Sequence, residues 1–266
     1  MTGNIKFKDA SLFYRDEGKG NTIVLLHGYL ESSEIWGGFG EELSKHFRVI
    51  SLDLPGHGKS SPVCESQTIE IMADSVKAVL EHLEIGRAVI VGHSMGGYVT
   101  LAFDEIFPEK TLAYCLFHSH ALADSDEKKL NREREIDLVK SGKKTLIINT
   151  NIPRTFANDN LDRLATEVKR AIEIGLNTKD EGIICALHGM KSRPDRQRVL
   201  RESSMPVMII AGRKDNVIPF GLYEQHFSLA DQTEVLILEN SGHMGFIEET
   251  QKSLEGIRKF VNKVYS

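Results

Sequence analysis

Three polar residues set far apart in the chain, Ser94, Asp215 and His243, each lie in a glycine-bearing stretch just after a short apolar run. Ser94 stands in Val91-Gly92-His93-Ser94-Met95-Gly96-Gly97, and its hydroxyl is a weak nucleophile at neutral pH unless a base takes its proton. An imidazole suits that task, and it must itself be oriented by a carboxylate. His243, in Asn240-Ser241-Gly242-His243-Met244-Gly245, is the strongest base candidate among the ten histidines. Asp215, in Ala211-Gly212-Arg213-Lys214-Asp215-Asn216, is the candidate acid, and Asp124 is the next choice. The competing role for Asp215 is to cap a helix that begins near Phe220. The chemistry in view is acyl transfer through a serine ester. A G-x-S-x-G match alone arises readily by chance, so its weight rests on what precedes and follows it.

The attack also needs donors for the oxyanion that develops on the carbonyl. The backbone N–H groups of Tyr29, shortly after the apolar run from Thr22 to Leu26, and of Met95, directly after the serine, are the candidates. His27 reads as a loop-fixing residue, and Asp53-Leu54-Pro55-Gly56-His57-Gly58 as a structural turn. His118 and Ser119, in Phe117-His118-Ser119-His120, are candidates for lining the substrate pocket, with Trp36 and Tyr29 near its mouth. H-x-H is also a metal-ligand spacing, but no Asp, Glu or Cys stands at matching spacing nearby, so neither a metal nor a cofactor is expected. The pocket is expected to be mainly apolar, with a preference for small or medium uncharged acyl groups.

Such residues must be held by regular elements, and the chain supplies them in alternation. Short apolar runs at Thr22 to Leu26, Arg48 to Leu52, Ala88 to Val91, Leu112 to Phe117, Val207 to Ala211 and Val235 to Leu238 suit strands covered on both faces. Between them, Thr68 to Leu83 carries Ile69, Met72, Val76, Val79 and Leu80 at helical spacing, and Tyr98 to Phe107 continues a helix from the serine. Alternation of this kind predicts a mostly parallel sheet wrapped by helices, with an antiparallel hairpin from Ile5 to Tyr14 at one edge. Ser94 then falls where a strand ends and a helix begins. Gly92 and Gly96 remove the side chains that would collide across so sharp a turn.

Residues 121–203 break the rhythm, because they offer helical segments and no convincing strand; Thr145 to Asn149 is read as helix or loop. The expected organisation is therefore a core of residues 1–120 and 204–266, with a helical cap of 121–203 inserted before the last two strands. The 266 residues include 33 Lys and Arg against 38 Asp and Glu, interspersed rather than segregated, which argues against nucleic acid as a partner. No apolar signal core and no run of about 18 apolar residues is present, so a cytoplasmic protein without a membrane partner is expected. Three cysteines at irregular spacing read as reduced and mostly buried thiols. Nothing in the composition sets an oligomeric state.

Taken together these segments resemble the α/β-hydrolase superfamily. HGYLESSEIW at 27–36 looks like its oxyanion loop, DLPGHGKS at 53–60 like its turn after the fourth strand, and GHSMGG at 92–97 like its nucleophile elbow. The order Ser, Asp, His along the chain is also that of these enzymes. The resemblance implies the α/β-hydrolase fold, an eight-stranded sheet flanked by helices. Weaker matches at 123–132 and 180–196 to esterase-like and lactonase-like members imply a small-molecule ester as substrate. Serine at 94 argues against the dehalogenase and epoxide hydrolase branches, known for an aspartate there. A thioesterase, a lactonase, a carbon–carbon bond hydrolase, a perhydrolase and a ligand-sensing receptor that keeps the triad all stay open, because one scaffold carries many chemistries.

Overall fold

A computed structural model describes residues 1–63, 67–229 and 233–266; Cys64 lies outside the described residues, whereas Cys115 and Cys185 are buried. The hairpin of β1 (Thr2–Phe7) and β2 (Ala10–Glu17) joins antiparallel to β4 (Arg48–Leu52). From there β3 (Thr22–Leu26), β5 (Ala88–His93), β6 (Thr111–Phe117), β7 (Val207–Gly212) and β8 (Thr233–Leu238) continue in parallel, giving eight strands in the order β1-β2-β4-β3-β5-β6-β7-β8. Every residue of β3, β5 and β7 is buried, since helices cover both faces. The edge strands β1 and β8 leave side chains half-exposed, as one-sided strands do.

From β3 the chain first steps sideways to β4 and later returns to the other side as β5. Strand order thus reverses between β3 and β5, and a crevice opens beyond their carboxyl ends. Both sequence segments expected to bind the reacting carbonyl leave the sheet there. The helices that flank the sheet are α1 (Gly37–Ser44), α2 (Ile69–His82) and α3 (Met95–Ile106). The Thr68 side chain caps α2 by accepting the Ile71 N–H at 3.3 Å, and Ile69, Met72, Val76, Val79 and Leu80 are buried on its inner face.

Between β6 and β7 lie α4 (Asp126–Lys140), α5 (Lys144–Thr155), α6 (Ala165–Leu176), α7 (Asp180–Ser192) and α8 (Gln197–Glu202), with no strand among the described residues. The stretch from Thr145 to Asn149 is helical within α5. α4 packs on α5 and α7, α5 packs on α6, and α8 packs on α3. The chain then completes the sheet with α9 (Phe220–Phe227), α10 (Gly245–Glu248) and α11 (Thr250–Tyr265).

Two contacts seat the inserted helices on the sheet layer, and an ion-pair cluster braces them from within. Gly56, at φ +80°, and Gly182 bring two backbones together so closely that a Cβ on either would strike the other. Asp124 is shared between Arg132 of α4 and the buried Arg193. The Thr155 carbonyl, at the end of α5, accepts the N–H of His243 at 2.6 Å. Among the described residues no helix is long and apolar enough to cross a membrane.

Candidate active site

Ser94 occupies the turn between β5 and α3 with φ 50° and ψ −113°, a conformation costing about 1–3 kcal/mol that persists only where its surroundings enforce it. They do. The Ser94 N–H donates to the Phe117 carbonyl at 3.0 Å, and the Ser119 hydroxyl donates to the Ser94 carbonyl at 2.8 Å. A Cβ on Gly92 would strike Thr100 and the Gly96 carbonyl, and one on Gly96 would strike the Leu26 carbonyl. The glycines therefore let α3 start tight against β3, with the serine raised at the crevice.

Asp215 follows β7 and is wrapped by donors on both oxygens. Oδ1 accepts the N–H groups of Val217 at 2.7 Å and Ile218 at 2.9 Å, which fixes the turn ahead of α9 rather than capping that helix, whose N-cap is Pro219. Oδ2 accepts His243 Nδ1–H at 2.7 Å and the Tyr223 hydroxyl at 2.5 Å. Burial alone would raise its pKa, but the attraction of His243, the hydrogen bonds and the nearby His118 hold the carboxyl well below the usual range. Asp124 is engaged by Arg132 and Arg193 instead.

With Nδ1 committed to Asp215, the other ring nitrogen of His243, Nε2, is buried and has no hydrogen-bond partner, Ser94 included. Both residues line one cavity of about 280 Å³. A serine–imidazole hydrogen bond that is unmade without substrate is compatible with catalysis, because such bonds tighten in the complex. Met95 N is the first helical N–H of α3 and has no intrahelical acceptor; Tyr29 lines the same cavity. His27 fixes the loop between them and β4: its Nδ1–H donates to the Gly28 carbonyl at 2.8 Å, and its Nε2 accepts the Leu54 N–H at 2.9 Å. Asp53 is likewise structural, accepting the N–H groups of Ser33 at 2.7 Å and Lys59 at 2.8 Å.

The pocket wall differs from expectation. Trp36, His118 and Ser119 lie behind it, not on it. Trp36 is 2% exposed and packs its ring on Phe246 at 4.6 Å. His118, at φ 47° just beyond β6, is fully buried with its ring nitrogens facing the N–H groups of Gly212 at 3.1 Å and Gly245 at 3.0 Å. The neutral ring accepts one of these N–H groups and a second ring proton would leave it accepting neither; burial already lowers its pKa far below the ordinary value. His120 turns to other partners, Leu122 N–H and the Tyr98 hydroxyl, so the two histidines share no ligand.

Folding does bring ligand-type atoms of His118, Asp215 and His243 within 4.8 Å of one another, a grouping their sequence positions hide. The Asp215–His243 contact at 2.7 Å is a hydrogen bond, shorter than the roughly 3.3 Å that two ligands about 2.05 Å from a tetrahedral zinc would keep. The donor set therefore fits a hydrogen-bonded network rather than an ion.

The wall is apolar over most of its surface but carries more charged and amide side chains than the few polar groups expected. Apolar Leu30, Ile152 and Val217 share it with Arg132, Glu135, Asn151, Arg154 and Asn216. Glu135 Oε1 accepts the Tyr29 hydroxyl at 2.9 Å and Asn151 Nδ2 at 3.2 Å, and burial raises its pKa. The Arg154 side chain is exposed and has no ion-pair or hydrogen-bond partner among the described residues. Sequence reasoning missed Glu31, His93 and Tyr223 as well, although Glu31 stood inside the quoted oxyanion-loop stretch and His93 inside the quoted elbow motif.

The chain belongs to the alpha/beta hydrolase fold family, whose profile matches residues 21–250. It is 28% identical over 256 residues to the dihydrolipoyllysine-residue acetyltransferase component of the acetoin cleaving system of Pseudomonas putida, spanning 92% of this chain and 65% of that relative. The (E)-2-((N-methylformamido)methylene)succinate hydrolase of Acinetobacter baylyi is 27% identical over 87% of this chain and 86% of its own. Among solved structures, a thermophilic esterase from Thermogutta terrifontis with malate bound matches with a TM-score of 0.95 at 28% identity, over 100% of both chains.

Proposed function

We propose that the protein is a serine hydrolase that cleaves a carboxylic ester through an acyl-enzyme. The observation that carries this reading is His243: its Nδ1 is bonded to Asp215, and its unpartnered Nε2 sits in a cavity that Ser94 also lines. Ser94 Oγ attacks the carbonyl carbon as His243 Nε2 takes its proton, and the carbonyl oxygen gains the negative charge. The N–H groups of Tyr29 and Met95 receive that oxyanion. Collapse expels the alcohol, which leaves with the proton from His243. Water then repeats the attack on the acyl group with His243 as base, releasing the acid and Ser94. Residues 121–203 act as the cap that closes the cavity.

The wall further suggests what the substrate carries. Arg154 lines the cavity without a counter-ion among the described residues, whereas Arg132 is paired with Asp124, so a small or medium acyl group bearing a carboxylate fits better than a bare alkyl chain. The Thermogutta terrifontis esterase structure has malate bound, and the Acinetobacter baylyi relative is named for a succinate. The test is a panel of nitrophenyl esters with acyl chains of two to sixteen carbons, with thioesters, lactones and the adipate half-ester beside hexanoate. Sustained turnover after a burst, highest on the half-ester, is expected. A maximum on long alkyl chains would contradict the pocket reading, and higher rates on thioesters or lactones would reassign the bond.

A further inference from the structure

Glu31 and His93 perform none of the steps above, yet their side chains are only 5% and 1% exposed at the centre of the site. Glu31 Oε2 accepts the Gly28 N–H at 2.6 Å and His93 Nδ1–H at 3.0 Å. The second ring nitrogen, Nε2, donates to the backbone carbonyl of His243 at 2.8 Å. A carboxylate and a carbonyl only accept, so both bonds together require two ring protons. A Cβ on Gly28 would sit 2.8 Å from His93 Nδ1 and 3.0 Å from Glu31 Oε2, which is why the chain is bare at that point.

The pair therefore touches three loops that never meet in sequence. Gly28 precedes the oxyanion donor Tyr29, His93 precedes the nucleophile, and the third contact is to the base residue itself. We propose that Glu31 and His93 are positioning residues that hold the Tyr29 N–H and His243 in register with Ser94, and that they do so only while His93 is doubly protonated. This inference rests on the ester-cleaving reading.

The surroundings favour that state. Burial lowers the pKa of His93, but the charge and hydrogen bond of Glu31 outweigh it and leave the value raised. Burial likewise works against the Glu31 carboxylate, and attraction to His93 more than offsets it. Asp215, from the loop after β7, adds a favourable charge; His27 lies on the oxyanion loop, and the His118 and His243 rings approach His93 to 6.2 and 5.0 Å. Trp36, Phe117 and Phe246 close the remaining sides. As pH rises through the raised value, His93 loses a proton and one of its two bonds fails. The oxyanion donor or the base then loosens. Because both act chiefly in the transition state, kcat falls on the alkaline side while KM changes little.

Two measurements decide it. In Glu31→Gln the amide oxygen still accepts the Gly28 N–H but the charge is gone. The alkaline limb of kcat should move about one pH unit or more toward neutrality, with kcat lower by roughly tenfold and KM within about twofold of wild type. In the wild-type protein, nitrogen NMR of the His93 ring should report imidazolium at pH 7 and proton loss coincident with the alkaline limb. A neutral ring at pH 7 overturns the proposal, even if the variant fails to fold, as does a Glu31→Gln profile that superimposes on wild type. Absence of ester turnover with a doubly protonated His93 defeats the ester reading alone; turnover with a neutral His93 defeats this proposal alone.

Discussion

The Ser94 side chain makes no hydrogen bond that the fold depends on, whereas its backbone is tied at both N–H and carbonyl. Ser94→Ala should therefore keep the fold and lose about 10⁴-fold or more in turnover. Labelling by a fluorophosphonate at any other residue would remove Ser94 from its role. Asp215→Asn should cost roughly 10³ to 10⁴-fold in kcat, because an amide no longer selects the Nδ1–H tautomer of His243. Stopped-flow or steady-state rates near wild type would send the search for the acid elsewhere. At the pocket wall, Arg154→Gln should reduce the ratio of kcat/KM for adipate half-ester over hexanoate by about tenfold, the value of one charge-assisted hydrogen bond. An unaltered ratio would leave the carboxylate preference without its cation.

At the scale of elements, the inserted helices depend on how α7 meets the turn after β4. Gly182→Val puts a branched side chain where the Gly56 carbonyl now stands, and is expected to destabilise by about 1–3 kcal/mol and to raise KM as the wall shifts. Chemical denaturation and steady-state kinetics on the one variant read both effects; a neutral outcome on each would mean the seat yields freely. The same elements explain what the sequence made legible. Buried parallel strands need unbroken apolar runs, so β3, β4 and β7 stood out with near-correct ends, and the turns after β5, β7 and β8 displayed Ser94, Asp215 and His243. The pocket wall did not, because Arg132, Glu135, Asn151 and Arg154 lie on α4 and α5, and only packing decides which side of a mostly polar helix faces the cavity. Glu31 and His93 are separated by 62 residues, and neither carries a local mark of its partner.

For the molecule as a whole, stability should fall earlier in acid than carboxylates alone would dictate. His27, His57, His118, His120 and His226 all have pKa values lowered chiefly by burial, His57 to about 3. Below the unfolded value of about 6.5 the unfolded chain binds these protons and the native state does not, so stability declines as pH drops. His93, raised, acts in the opposite sense: its contribution is complete below about 6.5 and is lost as pH climbs through its native value. Asp215 and Glu31, lowered, add a further loss only below about pH 4. Urea midpoints should therefore drop between pH 6.5 and 4.5, and His57→Gln should flatten that slope. Midpoints constant over this interval would contradict the neutral state of the buried rings.

The bond from the His243 N–H to the Thr155 carbonyl has one more implication, for anyone treating residues 121–203 as an exchangeable cassette. A Cβ on Gly242 would strike the chain from Thr155 to Ala157, and Asn160 and the Ala157 N–H both bind Glu248, so the insertion is the scaffold beneath the proposed base, His243. A chimera carrying a foreign insertion changes the support of His243 along with the pocket. On the proposed reading, substrate range and catalytic power are thereby linked, and grafting alone cannot vary one without the other.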